Sequence, residues 1–86
     1  MDITFALLAR YKSPFVALEE VCEDFFKVSP RKTKLLVASG EFPIPVTRTT
    51  SSQKAPYLIK VDDLAKYLDE CYASSRDEWE RVNRLR

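Results

Sequence analysis

Basic and amide side chains are the residues of this 86-residue chain whose types and spacing could do chemistry. They fall in two groups: Arg31, Lys32 and Lys34 with the apolar Leu35, and then Arg48, Gln53 and Lys54. Guanidinium and ammonium groups bind phosphates, and arginine can donate two hydrogen bonds to the major-groove edge of guanine. An exposed leucine can contact the methyl group of thymine. The chemistry that these residues favour is recognition of double-stranded DNA.

The distribution of charge along the chain supports this interpretation, although the net charge of +1 does not. Residues 1–27 carry three basic and five acidic side chains, residues 28–60 six basic and one acidic, and residues 61–86 five basic and seven acidic. The middle segment therefore has a net charge of +5 between two segments of −2. A short basic helix alone is equally typical of a solvated face. The agreement of both groups favours a nucleic-acid partner.

The composition argues against catalysis and cofactor binding. There is no histidine, which is the commonest general base and metal ligand. A single glycine, Gly40, leaves no glycine-rich phosphate loop. Cys22 and Cys71 lie in apolar helical patterns, which predicts two reduced core residues, with a disulfide between them as the alternative. We expect no enzyme activity, no cofactor and no metal.

No targeting or membrane segment is expected. The N-terminus has no basic region before its short apolar run, as a signal peptide would. No stretch approaches the roughly 20 apolar residues of a membrane span. The sequence therefore predicts a cytoplasmic protein without a membrane partner, and its length predicts one domain.

Two helices joined by a short turn must position the first basic group. In residues 18–26, apolar side chains recur at helical spacing with acidic ones opposite. The next helix, 30–39, begins with Ser29 as N-cap and Pro30 at the first helical position. It ends before Gly40, the expected C-terminal cap. This arrangement is typical of a helix-turn-helix.

A β-hairpin is predicted to position the second group. Segments 46–50 and 57–61 are rich in β-branched and aromatic residues, and a polar tip separates them. A helix at 4–11 and a short extended piece at 15–17 precede the helix pair. The predicted fold is mainly α with a small β-hairpin, a winged helix-turn-helix with a long C-terminal helix. The hairpin, at 46–61, is its wing.

The last helix is predicted to begin near Asp62 and to continue through Trp79, with a kink at Ser74-Ser75 or a fresh helix from Ser75 as alternatives. We divide the chain into a DNA-binding domain, 1–73, and a helical extension, 74–86. Trp79 either folds back on the core or belongs to a self-association surface. The residues of that surface are Tyr72, Trp79, Val82 and Leu85.

Several segments are familiar in order and spacing: TFALLARY, VALEEVCEDFF, SPRKTK, SGEFPIPVTR and SSQKAPYLIKVDDLAKYLD. Over about residues 3–70 the chain resembles the pyocin activator protein PrtN family. Residues 29–43 and 62–68 are more loosely similar to the MerR-like winged-helix domains of phage excisionases and Cox-type regulators. The resemblance implies a bacterial or prophage, nucleoid-associated transcriptional activator of bacteriocin or phage-tail genes.

Three functions follow from the sequence. The first is a transcriptional activator that binds double-stranded DNA as a homodimer or higher oligomer, with a contact to RNA polymerase left open. The second is an excisionase-like architectural protein that bends DNA for recombination. The third is a protein-interaction adaptor whose basic helix holds an acidic partner while the Trp79 helix docks elsewhere.

Overall fold

The computed structural model describes residues 2–51 and 55–84, so the predicted contacts Gln53, Lys54 and Leu85 lie outside the described residues. The elements are α1 (Ile3–Tyr11), β1 (Phe15–Ala17), α2 (Leu18–Val21) with a π-helical turn (Cys22–Phe26), α3 (Pro30–Ser39), β2 (Leu58–Lys60) and α4 (Val61–Arg84). The fold is mainly helical with a small antiparallel sheet and a long C-terminal helix, as the sequence predicts.

A polar contact ties α1 to the π-helical turn. The Tyr11 hydroxyl donates a 2.6 Å hydrogen bond to the Asp24 carboxylate, and the Arg10 guanidinium lies 3.2 Å from the same oxygen. Burial and the Asp24 carboxylate together raise the pKa of Tyr11 well above its usual value. The hydroxyl therefore stays protonated and holds the two elements together.

The π-helical turn gives the second helix an ending that its apolar periodicity does not predict. The backbone N–H of Lys27 donates to the carbonyl of Cys22, a bond that spans five residues, and Lys27 has a left-handed backbone with φ 56°. The turn carries Phe26 to a position between two other aromatic rings. The ring centroids of Phe42 and Tyr67 lie 5.4 and 5.7 Å from that of Phe26. Phe26 thus links the end of α2 to the segment after α3 and to α4.

Strand β2 pairs with a different segment from the one predicted. β1 pairs antiparallel with β2, with Val16 opposite Ile59. The segment 46–50, predicted as the first hairpin strand, contributes a single bridge in which Thr47 and Leu58 exchange two backbone hydrogen bonds. Pro43 and Pro45 lie just before that segment and supply no backbone donors, so the pairing cannot extend in that direction. The predicted extended piece at 15–17 is therefore the main partner of β2.

The core lies between α1, the sheet, α2 and the first turns of α4. Its buried apolar residues are Leu7, Val16, Leu18, Val21, Cys22, Ile44, Ile59, Val61, Leu64 and Ala65. Cys22 is buried as predicted, but the prediction of a core position for Cys71 is wrong, because Cys71 is exposed. Position 71 lies at the edge of the apolar face of α4, where the helix has already left the core. Both cysteines are free thiols, so the alternative of a disulfide is also wrong.

Helix α4 runs without interruption through its 24 residues. The alternative of a fresh helix from Ser75 is therefore wrong, and so is the alternative of a helix end folded back on the core. The kink at Ser74-Ser75 stays a prediction. Trp79 remains 61% exposed. Across the described ranges, no helix combines the length and the apolar character needed to cross a membrane.

Candidate nucleic-acid interface

Helix α3 has the bounds that its capping residues predict. The Ser29 hydroxyl oxygen accepts a 3.3 Å hydrogen bond from the Lys32 N–H, and Gly40 ends the helix in the left-handed conformation with φ 77°. Thr33 is 1% exposed, and its hydroxyl donates a 2.9 Å bond to the Ser29 carbonyl. The buried Thr33 fixes which face of α3 turns inward.

The face of α3 opposite Thr33 carries the first basic group. Arg31 and Leu35 are four residues apart and lie on its outermost line, because one turn takes 3.6 residues. Lys32 and Lys34 flank that line on either side, and all four side chains are exposed. Leu35 is 65% exposed and adds one apolar side chain to this basic face.

The N-terminal end of α3 adds backbone chemistry to this face. The Arg31 amide is at the second helical position, where no intrahelical acceptor exists, so it can donate to a phosphate. The segment 30–39 has no acidic residue, and the helix dipole adds positive potential at this end. The structure thus combines three cations and a helix N-terminus on one surface.

Two further residues belong to this surface, and sequence reasoning missed them. Lys27 is exposed in the turn between α2 and α3, where its left-handed backbone ends the π-helical turn. Ala38 is exposed one turn beyond Leu35, and its small side chain leaves the end of α3 open to close approach. The sequence signal for Lys27 is its place two residues before Ser29, the N-cap of α3, which puts its positive charge beside the basic end of that helix.

Arg48, the described residue of the second group, reaches the same side of the molecule through Tyr57. The guanidinium carbon of Arg48 lies 5.0 Å from the centroid of the Tyr57 ring, and the Arg48 side chain is half-buried. Tyr57 lines a groove together with Lys34 and Pro30 of α3. Ala55 and Pro56, which directly follow the undescribed tip, line this groove too. The structure therefore brings the segment after α3 beside the basic helix.

Acidic residues bound the basic surface on the side of α2. Glu19 lines the groove that contains Lys34 and Tyr57, and it also lines a neighbouring groove with Glu23 and Lys27. Both carboxylates are exposed. A polyanion is therefore favoured over the line of Arg31 and Leu35 and disfavoured in the grooves towards α2.

The comparisons with known proteins agree with the resemblance found in the sequence. A family model described as pyocin activator protein PrtN matches residues 4–74. The match includes nearly all of α1, both basic groups and the part of α4 that packs on the core, and it ends before Trp79 and Val82. Searches of curated proteins and of solved structures gave no match.

Proposed function

The chain belongs to the pyocin activator protein PrtN family, and we propose that it activates transcription by binding double-stranded DNA through α3 and the segment that follows it. The observation that carries the proposal is the outer face of α3. Its basic side chains and its exposed leucine surround a helix N-terminus, in a segment without acidic residues. Such a surface meets the charge and hydrogen-bonding demands of a DNA groove.

In the proposed complex, α3 lies in the major groove, whose width admits one α-helix. Arg31 and Lys32 are near the leading end of the helix and reach the O6 and N7 atoms of guanine. Leu35 follows one turn later and contacts a thymine methyl group. Lys34 and the amide of Arg31 bind phosphates, which sets the register of the helix on the duplex.

The segment 46–57 acts as the wing of this proposed winged helix-turn-helix. Arg48 is held against the Tyr57 ring, which orients its guanidinium beside the groove next to α3. From there it reaches the sugar–phosphate backbone that borders the major groove, and Gln53 and Lys54 at the tip follow the backbone or enter the adjacent minor groove. The Thr47–Leu58 bridge anchors this segment to the sheet.

A titration of the chain with a fluorescent random-sequence duplex tests the proposal. We expect binding at about 50 mM salt, with an affinity that falls steeply as salt rises because phosphate contacts release counterions. About four phosphate contacts give a slope of roughly −3.6 for log K against log salt. Fluorescence anisotropy across the salt series measures this slope.

The matched variants are Lys34→Glu and Arg81→Glu, which reverse one charge on α3 and one at the far end of α4. Lys34→Glu should weaken binding strongly, whereas Arg81→Glu should change it little. Absence of binding at low salt, or equal losses for the two variants, would exclude α3 as the DNA-binding surface.

Removing the carboxylate of Glu19 should strengthen DNA binding. Glu19 lies in the groove beside Lys34, where it repels phosphates that approach α3 from the side of α2. For Glu19→Gln we expect about two- to fivefold tighter binding at low salt, an effect of about 0.5–1 kcal/mol that is typical of a screened charge. The gain should be the same for every duplex sequence, since α2 does not reach base edges in this geometry.

Glu78→Gln is the control for Glu19→Gln, because it makes the same change in net charge on the distal part of α4. Anisotropy titrations of the three proteins give the comparison. An equal gain for Glu78→Gln would show an effect of net charge alone, and DNA would then not pass near the groove that Glu19 lines.

A further inference from the structure

The apolar face of α4 continues beyond the core without a cover. Val61 and Leu64 are buried on this face in the first turns. Tyr72, Trp79 and Val82 follow at helical spacing on the same face, and they are 63%, 61% and 52% exposed. The helix therefore carries one continuous apolar stripe, of which the domain covers only the first half.

In the exposed half of this stripe the Trp79 side chain forms a protrusion, and the small Ser75 leaves a gap. Tyr72, Ser75, Arg76 and Trp79 line a shallow groove in which the small Ser75 separates the two aromatic side chains. Tyr72 and Trp79 are seven residues apart, about 10 Å along the helix. Arg76 borders the gap and is fixed there by the Tyr72 hydroxyl at 3.2 Å. A surface with its own protrusion and gap can pair with itself about a two-fold axis.

The charges around the stripe also suit a second copy better than a charged partner. Residues 72–84 contain three basic and three acidic side chains, so the segment has no net charge. Five of these charges are paired within the helix: Arg76 with Glu80 at 3.1 Å, Arg81 with Asp77 at 3.6 Å, and Arg84 with Glu80 at 4.0 Å. Neither DNA nor a strongly charged protein finds a complementary potential here.

We propose that this stripe binds the same stripe of a second copy of the chain, with the two α4 helices antiparallel. The axis passes near residue 77, so that Trp79 of each copy lies over Ser75 of the other. Tyr72 then lies opposite Val82 in the flanking layers, as in antiparallel helix packing where large and small side chains alternate.

This dimer holds its two DNA-binding domains at opposite ends of the paired helices. Covering the three exposed side chains buries roughly a few hundred Å² per copy, at the low end of specific interfaces. Association is therefore expected in the micromolar range. The dimer forms without DNA, so a failure of this inference and a failure of the DNA-binding proposal are separate results.

Sedimentation velocity of the full chain over a range of concentrations tests the dimer. The wild type should change from monomer to dimer, and Trp79→Ala should weaken the association at least tenfold. Arg81→Ala, on the opposite face of α4, should leave it nearly unchanged. The proposal is overturned if the chain stays monomeric at high concentration, or if Trp79→Ala associates as strongly as the wild type.

Ser75→Trp separates a specific dimer from non-specific association. Because it fills the gap that receives Trp79 of the other copy, it should weaken the dimer, whereas an added exposed tryptophan would strengthen non-specific adhesion. Both variants change exposed residues of a continuous helix, so circular dichroism should show unchanged folding. Stronger association of Ser75→Trp would contradict the proposed contact.

The exposed Cys71 provides a native site for a spin label that measures the orientation of the helices, since Cys22 is buried. In the antiparallel dimer the two positions are offset by 12 residues along the axis, which gives about 20 Å between their Cα atoms. A parallel dimer gives about 10 Å. Pulsed electron paramagnetic resonance at a concentration where the dimer forms distinguishes them, and the short distance would overturn the antiparallel arrangement.

Discussion

Arg31→Ala should leave the chain able to bind duplex DNA but should lower its preference for its own site by about 5- to 150-fold. A bidentate contact between arginine and guanine contributes about 1–3 kcal/mol of discrimination against other bases. Arg31 lies on the outermost line of α3 near its N-terminal end, which is the end that enters the groove in the proposed complex. The effect should appear as a loss of specificity more than of affinity, because the other cations still bind phosphates.

The site is obtained by selecting bound sequences from a random duplex pool with the wild-type chain. Anisotropy titrations then compare the selected duplex with a scrambled duplex of the same length and composition. Arg31→Lys is the sharpest variant, because it keeps the positive charge and loses the planar pair of donors. It should retain nearly all of the non-specific affinity and lose most of the preference for the selected site.

Arg81→Ala is the control, since it removes an arginine at the distal end of α4 without touching α3. If Arg31→Ala weakens binding to the selected and scrambled duplexes by the same factor, Arg31 contacts phosphates only. The proposed orientation of α3 would then be wrong, because its leading end would not face base edges.

The sequence predicted α3 well because its determinants are local. A serine N-cap, a proline at the first position and a glycine cap define the ends of the helix within the helix itself. The exposure of the basic group follows from helical periodicity once Thr33 faces inward. The charge distribution depends only on the order of residues along the chain, so the candidate surface could be predicted from the sequence.

The partner of β2 could not be predicted in the same way. The sequence predicts a hairpin between 46–50 and 57–61 because both segments are rich in β-branched and aromatic residues and a polar tip separates them. The structure instead pairs β2 with Phe15–Ala17, more than 40 residues earlier, and that choice depends on the packing of Val16 and Ile59 in the core. Alternation within each segment contains no information on which of two neighbours it pairs with.

The residues that surround the candidate surface in space could not be predicted from the sequence either. The acidic face of the second helix was predicted, but that Glu19 shares a groove with Lys34 depends on the angle between the two helices. The position of Arg48 against Tyr57 depends in turn on the bridge at Thr47. These contacts join residues that are distant along the chain, and in the proposed complex they set the side from which DNA approaches α3.

Phe26→Ala should be the most damaging of the substitutions considered, with a loss of about 3 kcal/mol in the free energy of unfolding. Phe26 is the ring on which the segment after α3 and the helix α4 meet, through Phe42 and Tyr67. Removing it opens a cavity among three elements, and a small domain has only about 5–15 kcal/mol of stability in total. The thermal midpoint should fall by roughly 10 °C or more.

Phe5→Ala is the matched control, since it deletes the same side chain from α1, where Phe5 is 67% exposed. It should change the unfolding free energy by less than about 0.5 kcal/mol. Urea titrations followed by far-ultraviolet circular dichroism measure both variants, and Phe26→Leu, which keeps most of the volume, should recover more than half of the loss.

Hydrogen exchange connects this stability to DNA binding. With Phe26 removed, the amides of α3 should exchange faster relative to those in the first turns of α4, because α3 loses its aromatic link to the rest of the molecule while α4 keeps its contacts in the core. DNA affinity should fall with the fraction of chains in which α3 is docked. Equal destabilisation by Phe26→Ala and Phe5→Ala would mean that the Phe26 cluster does not hold α3, and the orientation of the basic face would then depend on the inward-facing residues of α3 itself, such as Thr33 and Val37.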